Sequence, residues 1–447
     1  MAKEKKKKEP LLITKSALDY DDLNSQQKQA VKAIKEWLHS KKRSTSEMIF
    51  RLGGVAGSGK SALVKYLLDD LKYTQEDCYV VAYTGQAVNV LRQNGILAKT
   101  IHSTFMHAKD VPLTDQFGNA IIKSGVPLMT TKFIPVKRIP STVKLVVVDE
   151  ASFLPEKLEK LILGYNVPIL EMGDPVQLPP VSGTQCFHMD NLDFFLTEIM
   201  RQSKDSEIVR LATCIRNYDP IDKREYGHDV KFLWAQEDIE ETFFRFNPFF
   251  KSADMIITTN NKDRNAITGL YREHILHAKT PYPMKGERLI CRRNDWNLLL
   301  GPFPLTNGTQ GTAVHTVGMS EVDKSSNTFI LDFKPAFVDN DYYDGLLADA
   351  KFLRTEFGRK DDDYYMRLNP GKKFEYAHAI TAHLAQGAQC DIAMFVDSFY
   401  KDPEYHMRIR YTAVTRAKKR LYYILPYFAK YPGWTDLWRG GFKPDEV

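Results

Sequence analysis

A glycine-rich run early in the chain has the residue types that bind phosphate groups. Residues 54–61, called the phosphate loop below, follow the spacing G-x-x-x-x-G-K-[ST]. Its glycines let the backbone curl so that successive N–H groups face the phosphates, while Lys60 reaches the β and γ phosphates and the Ser61 hydroxyl binds magnesium. The nucleotide-binding candidates in this loop are Gly54, Ala56, Gly57, Ser58, Gly59, Lys60 and Ser61. The sequence therefore predicts a site for ATP and Mg²⁺.

Two adjacent carboxylates supply what ATP hydrolysis needs besides a phosphate site. Asp149 and Glu150 directly follow three valines, at residues 146–148. We assign Asp149 to the magnesium ion and Glu150 to the attacking water. Gln177, in the run Gly173-Asp174-Pro175-Val176-Gln177, would approach the γ-phosphate or that water. A small-molecule kinase has less need of a water-polarising glutamate, so these residues favour an ATPase.

Each of these polar motifs follows a short apolar run of the kind that forms buried strands. Such runs occur at residues 48–52, 79–83, 145–148 and 168–172, and helical patterns separate them. Nearly continuous apolar strands that alternate with helices are typical of a parallel sheet covered on both faces. Ligands bind such sheets beyond the carboxyl ends of the strands. We therefore expect the motifs to meet at one edge of one sheet.

Similar runs recur later in the chain, at residues 255–260, 392–396 and 420–425, and predict a second α/β domain. Two stretches interrupt the pattern and predict small inserted subdomains. The expected first domain comprises residues 1–105 and 141–190, with an insert at 106–140. The expected second domain comprises residues 191–306 and 375–430, with an insert at 307–374, and residues 431–447 form a tail.

Length and composition fit this plan. The chain of 447 residues exceeds the size at which one hydrophobic core stops growing, and its 43% hydrophobic and 26% charged residues are ordinary for globular proteins. Its five cysteines contain no C-x-x-C pair, which argues against a zinc site or a disulfide framework and favours a reducing cytoplasm. We expect no membrane segment and no signal peptide. The net charge of +6 decides nothing by itself, and the lysine run at residues 5–8 is most simply a solvated tail.

The order of the motifs carries a family resemblance. The phosphate loop, Asp149-Glu150-Ala151-Ser152 and G-D-x-x-Q-L-P-P-V at residues 173–181 resemble motifs I, II and III of superfamily 1 helicases, in their RecD-like branch. The resemblance extends over nearly the whole chain. It implies an α/β fold with two RecA-like parallel-sheet motor domains, a β-hairpin pin in the first insert and an SH3-like barrel in the second.

The resemblance also implies roles for individual residues. Gln27 would read the adenine, and Gly387 would belong to the nucleotide site. Arginines from the second domain, Arg201 and Arg416, would neutralise charge on the transferring phosphoryl group when the domains close. Nucleic-acid contacts are expected from Thr84, His102, Ser103, Phe105, Phe117, Thr381 and His383. At residue 83 the chain has tyrosine where the family usually has proline.

Two aromatic residues have a specific expected task. Phe105 is a candidate for stacking on bases of the bound strand. Phe117 precedes Gly118 and Asn119, which tolerate positive φ and predict the turn of a hairpin over residues 111–122. Phe117 would stack on the last base pair of a fork, although either ring could instead be packed in the protein.

The sequence thus predicts an ATP-dependent DNA helicase that translocates on single-stranded DNA and unwinds duplex, and the resemblance implies movement from 5′ to 3′. Two alternatives remain open: an ATP-gated translocase or remodeller without strand separation, and an RNA helicase of the same superfamily. Expected partners are single-stranded DNA and DNA forks, with replication or single-strand-binding proteins as candidates. A cytoplasmic monomer is the expected form.

Overall fold

The computed structural model describes residues 18–40, 45–112, 114, 118–123, 126–127, 129–180, 183–199, 206–219, 221–222, 226–300, 303–318, 328–338, 340–353 and 371–427. The chain divides into two compact units. The first comprises residues 1–107 and 133–204, and the second comprises residues 108–132 and 205–447. Arg201 and Phe117 lie outside the described residues, as do parts of both predicted inserts.

Strands alternate with helices in the first part of the chain. The strands are β1 (Ile49–Gly54), β2 (Cys78–Ala82), β3 (Ala98–Thr100), β4 (Met106–Pro112), β5 (Ile122–Lys123), β6 (Val126–Pro127), β7 (Met129–Pro135), β8 (Leu145–Asp149), β9 (Ile169–Gly173) and β10 (Phe194–Leu196). The helices are α1 (Ser25–His39), α2 (Lys60–Asp70), α3 (Gly85–Gln93), α4 (Ile101–Phe105) and α5 (Glu156–Leu163). Short 3₁₀ turns occur at Tyr20–Asp22, Thr45–Met48, Ala151–Phe153 and Met189–Asn191.

Six of these strands form one parallel sheet in the order β10-β1-β9-β8-β2-β3. Alternate residues of β8 point into two different hydrophobic clusters: Leu145 and Val147 into one, Val146 and Val148 into the other. Burial on both faces explains why the strand sequence is continuously apolar. Because the strands are parallel, the segments that follow β1, β2, β3, β8 and β9 lie along one edge of the sheet.

The predicted pin region contains two strand pairs, β4 with β7 and β5 with β6, and the second pair is antiparallel. Thr114 and Ala120 form an antiparallel bridge, and Gly118 has φ 85°, a left-handed conformation that glycine adopts without strain. The arms of this hairpin, at residues 106–112 and 129–135, are more widely separated in sequence than the expected hairpin at 111–122.

The second unit contains a parallel sheet of its own, in the order β11-β22-β21-β12-β20. Its strands are β11 (Val230–Trp234), β12 (Met255–Thr258), β20 (Ala379–Thr381), β21 (Cys390–Val396) and β22 (Ala417–Leu425). Its helices are α6 (Glu207–Asn217), α7 (Ile239–Arg245), α8 (Asn247–Ser252), α9 (Asn261–Leu270), α10 (Ala382–Ala385) and α11 (Pro403–Val414), and a π-helical turn, Tyr271–Ile275, continues α9. The predicted fold of two parallel-sheet domains is therefore confirmed.

An antiparallel sheet in the order β18-β17-β16-β13-β19 interrupts the second domain. Its strands are β13 (Arg288–Cys291), β16 (Gln310–Gly318), β17 (Thr328–Pro335), β18 (Tyr343–Asp349) and β19 (Phe374–Tyr376). A small hairpin of β14 (Asp295–Leu300) and β15 (Phe303–Leu305) and a 3₁₀ turn, Ala350–Leu353, accompany it. This sheet has its own core, which includes Phe329, Phe333 and Phe374. Among the described residues, no helix combines the length and the apolar character needed to cross a membrane.

Candidate functional site

The phosphate loop joins β1 to α2, as its sequence predicts. Gly57 and Gly59 have φ values of 80° and 78°, which residues with a Cβ rarely adopt, so glycine is required for the backbone to curl here. Gly59 is the N-cap of α2, and the helix therefore presents its first N–H groups and the positive end of its dipole at the loop.

The side chains of the loop are arranged to receive an anion. Lys60 Nζ donates to the carbonyl oxygens of Gly54 and Val55, at 2.5 and 3.2 Å. The buried Ser58 hydroxyl has no hydrogen-bond partner among the described residues, which is unusual for a buried polar atom. A Cβ on Gly54 would lie 2.7 Å from Ser58 Oγ and 3.1 Å from Lys60 Cδ, so the phosphate loop is closely packed at Gly54. These features fit the phosphate groups of a nucleotide.

The two acidic residues lie at the carboxyl end of β8, at the edge of the sheet that carries the phosphate loop. Burial and the neighbouring charge of Glu150 raise the pKa of Asp149 to about 7, while the Lys60 ammonium acts in the opposite direction. Glu150 adopts φ 54°, a strained conformation for glutamate of the kind that recurs at functional sites. Asp149 and Ser61 would hold Mg²⁺, which prefers hard oxygen ligands and completes its shell with phosphates and water.

Gln177 is largely buried in the loop that follows β9, where its backbone N–H donates to the Asp174 carbonyl at 3.1 Å. The buried Ser152 connects this loop to the acidic pair. Its hydroxyl donates to the Asp174 carbonyl oxygen at 2.7 Å and accepts from the Asp174 N–H at 2.9 Å. The absence of a side chain at Gly173 makes room for it, since a Cβ there would lie 2.7 Å from Ser152 Oγ. Sequence reasoning gave Ser152 no role, although it belongs to the motif that carries both carboxylates.

Gln27 lies beneath the phosphate loop and is 1% exposed. Its Nε2 donates to the Ser58 carbonyl at 3.1 Å, and its Oε1 accepts from the Asn24 N–H at the N-terminus of α1, also at 3.1 Å. Both amide atoms therefore hold the loop against α1. Reading an adenine, as expected, would require a second hydrogen bond from this buried amide.

Sequence reasoning also missed the adjacent Gln26. Its Nε2 donates to Thr197 Oγ1 at 2.8 Å, and its Oε1 accepts from the backbone N–H groups of Thr197 and Glu198, both at 2.9 Å. Gln26 thus fixes the segment that leads toward Arg201. Its position beside Gln27 was the feature of the sequence that could have indicated a role for Gln26.

The expected nucleic-acid contacts of the first unit follow the neighbouring strands β2 and β3. Thr84 is the N-cap of α3, and its Oγ1 accepts from the Ala87 N–H at 3.2 Å, which leaves the hydroxyl hydrogen available to donate. The exposed Ser103 and the partly buried His102 lie in α4. Burial lowers the pKa of His102, so the imidazole is neutral at pH 7.

The structure corrects the expectation for Phe105. Its side chain is 0% exposed and packs in the core of the first unit, where its ring stacks on Tyr165 at 5.4 Å. It therefore offers no ring face to a base.

In the second unit, Thr381 and His383 lie at the carboxyl end of β20 and the start of α10. Thr381 is buried. The His383 ring shares a hydrogen bond of 2.7 Å with the Tyr405 hydroxyl, and burial lowers its pKa. Gly387, in the turn after α10, has φ 73°.

Arg416 follows α11 and is 4% exposed. Its guanidinium donates to the carbonyl oxygens of Thr412 and Ala388, at 2.9 and 3.2 Å, and to Thr415 Oγ1 at 3.0 Å. These acceptors are neutral. A phosphate oxygen would be a stronger acceptor for the same cation.

A buried carboxylate anchors the helix that leads to Arg416. Asp397, just past β21, accepts from Arg410 Nε at 2.7 Å and from the Tyr423 hydroxyl at 2.9 Å, and it pairs with His406 at 2.7 Å. Although burial acts to raise it, the charges of Arg410 and His406 and these hydrogen bonds lower the pKa of Asp397 to about 2. The ionised carboxylate therefore fixes α11 to the sheet.

Two protein families match the chain in the regions just described. Residues 22–241 match the AAA domain family, and residues 376–424 match the UvrD-like helicase C-terminal domain family. The two matches lie in the two parallel-sheet domains. The first match includes the phosphate loop, Asp149, Glu150 and Gln177, and the second includes Thr381, His383 and Arg416.

A solved helicase structure has a similar fold. A Pif1 helicase chain, from a structure on DNA unwinding at forked double-stranded DNA by two coordinating Pif1 helicases, aligns with a TM-score of 0.50 and 17% identity, over 91% of this chain and 95% of its own length. A Bacteroides Pif1 helicase in complex with ADP-AlF3 and single-stranded DNA aligns with a TM-score of 0.49 and 16% identity, over 90% and 95% of the two chains. The uncharacterized protein R530 of Acanthamoeba polyphaga mimivirus is 31% identical over 204 residues, which are 39% of each chain. The chain thus spans about two fifths of the length of that relative.

Proposed function

We propose that this protein is an ATP-dependent DNA helicase that moves 5′ to 3′ along single-stranded DNA and separates duplex at a fork. One observation carries the proposal. The phosphate loop, the Asp149-Glu150 pair and the Gln177 loop lie at one edge of one sheet, in a chain that also contains a helicase C-terminal domain. Within superfamily 1, the sequence motifs favour the RecD-like branch and a relationship to the Dda helicase of T-even phages, while the fold is shared with Pif1 helicases.

The proposed hydrolytic roles follow from the geometry of the first unit. Lys60 and the N-terminal amides of α2 bind the phosphates, and the Ser58 hydroxyl gains a partner there. Mg²⁺, held by Ser61 and Asp149, supplies charge neutralisation at the phosphates. Glu150 accepts a proton from the attacking water, and Gln177 orients that water. Ser152 holds the loop of Gln177 beside Glu150 through its paired hydrogen bonds to Asp174.

Arg416 is proposed to stabilise the charge that spreads over the transferring phosphoryl group. A phosphate oxygen carries negative charge, so its contact with the guanidinium would add ion pairing to the hydrogen bond. Arg201 is proposed to act in the same way from its position in the sequence motif.

The bound strand is proposed to contact Thr84, His102 and Ser103 in the first unit, and Thr381 and His383 in the second. These residues follow strands in their respective sheets and offer hydroxyl and imidazole groups to phosphate oxygens. Phe117, at the predicted turn of the hairpin, is proposed to stack on the last base pair of the fork. Single-stranded DNA and DNA forks are the proposed partners, and a cytoplasmic monomer is the proposed form.

Two measurements test the proposal and separate it from its alternatives. ATP turnover is measured with single-stranded DNA or RNA of the same sequence, and unwinding is measured on duplexes with a 5′ or a 3′ tail. Lys60→Ala protein is the control for a contaminating ATPase. We expect stimulation by DNA and unwinding of the 5′-tailed duplex. Equal or greater stimulation by RNA would favour the RNA helicase, and stimulation without strand separation would favour the translocase.

A further inference from the structure

Three aromatic rings from three separate segments meet in the first unit. Tyr83 follows β2, His102 lies in α4, and Phe133 lies in β7, at the base of the hairpin. The ring centroids of Tyr83 and His102 are 5.9 Å apart, at an interplanar angle of 46°. Those of His102 and Phe133 are 5.2 Å apart in an edge-to-face arrangement. We call these three residues the aromatic joint.

The hairpin base is firmly attached beside this joint. The Val136 N–H donates to the Phe105 carbonyl oxygen at 2.9 Å, and the Tyr165 hydroxyl donates to the Val136 carbonyl oxygen at 2.8 Å. Tyr165 also stacks on the buried Phe105. Val136 directly follows β7, and both its N–H and its carbonyl group are therefore hydrogen-bonded to residues of the first unit.

The joint connects this base to the residues proposed to hold the strand. Tyr83 directly precedes Thr84, and His102 directly precedes Ser103. His102 is the central ring, since it contacts both Tyr83 and Phe133. All three side chains are only partly buried, so they lie at the surface of the core rather than within it. Tyr83 supplies the ring that packs against His102 on the side of Thr84.

We infer that the aromatic joint holds Phe133, in β7, beside the residues proposed to bind the strand, which makes Tyr83 and Phe133 positioning residues for strand separation. The inference rests on the proposed function. Loss of either ring contact therefore lets β7 shift beside the residues proposed to hold the strand, while the nucleotide site, at the tips of β1 and β8, keeps its geometry.

The test compares Phe133→Leu and Tyr83→Leu, which remove a ring but keep an apolar side chain, with the double variant. Tyr79→Leu is the matched control, because the Tyr79 ring packs edge-to-face on Phe105 in the same domain and is not part of the aromatic joint. For each protein, fork unwinding, ATP turnover on single-stranded DNA and the melting temperature are measured. Phe133→Tyr serves as the conservative rescue.

We expect each single variant to unwind about tenfold more slowly while ATP turnover on single-stranded DNA stays within about twofold, as displacement by about 1 Å can be this costly. The double variant should unwind about as fast as the slower of the two single variants, because both substitutions break the same joint. Phe133→Tyr and Tyr79→Leu should unwind like the wild type.

Unchanged unwinding in Phe133→Leu would overturn the inference, as would a parallel loss of unwinding, ATP turnover and melting temperature, which indicates a purely structural role. Multiplying effects in the double variant would overturn it too, since they indicate independent actions. A wild-type protein that separates no fork would overturn the proposed function itself, and this inference with it.

Discussion

Replacing Asp149 with asparagine should stabilise the protein above pH 7, even though it damages the site. The carboxyl lies at the buried end of β8 beside Glu150, and both factors raise its pKa to about 7. In the unfolded chain an aspartate has a pKa of about 3.9. The folded protein therefore binds the proton more tightly than the unfolded chain does. Asparagine has a similar shape and carries no charge.

The sign and the size of the effect follow from this difference. A carboxyl whose pKa is raised by folding contributes stability that is fully present below about pH 4 and is lost as the pH rises through about 7. The complete loss is up to about 4 kcal/mol, and roughly half of it falls between pH 5.5 and 8. The asparagine variant has no such dependence. Its stability relative to the wild type should therefore increase by about 2 kcal/mol between those two pH values.

Thermal melting at pH 5.5 and pH 8, in the presence of EDTA, measures this increase. For a domain of this size, about 2 kcal/mol corresponds to a melting-temperature difference of about 4 to 8 °C. Adding Mg²⁺ with ADP at pH 8 should then stabilise the wild type, because the metal binds the ionised carboxylate, and should stabilise the variant much less.

An asparagine variant that melts like the wild type at both pH values would refute the assignment of a desolvated, charge-repelled carboxyl at residue 149. Glu150→Gln provides the internal control. It removes the neighbouring charge that raises the Asp149 pKa, so the pH dependence of stability should become smaller while the Asp149 carboxylate remains. A larger dependence in Glu150→Gln would show that the two charges do not interact as described.

The remaining predictions concern catalysis and binding. Lys60→Ala should abolish ATP hydrolysis with little change in melting temperature, because it removes the cation at the phosphates from a non-core position; near-normal turnover would contradict the phosphate-loop assignment. Arg416→Ala should lower DNA-stimulated kcat roughly a thousandfold with little change in nucleotide affinity, and unchanged kcat would leave Arg416 with only its bonds inside the second unit. Ser152→Ala should lower kcat more than it raises the KM for ATP, whereas Ser152→Thr would overpack the space beside Gly173 and lower the melting temperature. DNA affinity should fall steeply with salt, as phosphate contacts require, and a flat response would indicate base recognition.

The parallel sheets could be predicted from the sequence because their central strands are buried on both faces. Residues 145–148 and 168–172 were predicted as strands, and the structure has Leu145–Asp149 and Ile169–Gly173. The strands Ala98–Thr100, Phe194–Leu196, Val230–Trp234 and Ala379–Thr381 were not predicted. Three of them have three residues, too few to show a period, and they exist because neighbouring strands offer them hydrogen-bond partners.

The convergence of the phosphate loop, Asp149 and Gln177 at one sheet edge also followed from sequence, since parallel strands end at a common edge. The hydrogen bonds within that edge could not be predicted from the sequence. The hydrogen bonds of Ser152 and Gln27 depend on loop conformations that no spacing rule encodes. The burial of Phe105 had a signal that was not used: Ile101 and Phe105 are spaced i, i+4 and are both 0% exposed, which is the pattern of a helix face packed on a core.

Asp149 and Glu171 of the first unit differ more in their positions in the sheet than in their pKa values. Burial and Glu159 raise the pKa of Glu171 to about 8, and the pKa of Asp149 is raised to about 7. Glu171 lies opposite Arg51 in the register of β9 and β1, and its carboxylate is 3.0 Å from Arg51 Nε. Glu171 therefore faces a cationic side chain within the sheet, away from the strand ends. Asp149 ends its strand at the edge where the phosphate loop begins, and the cation that can neutralise it there is one that arrives with a nucleotide.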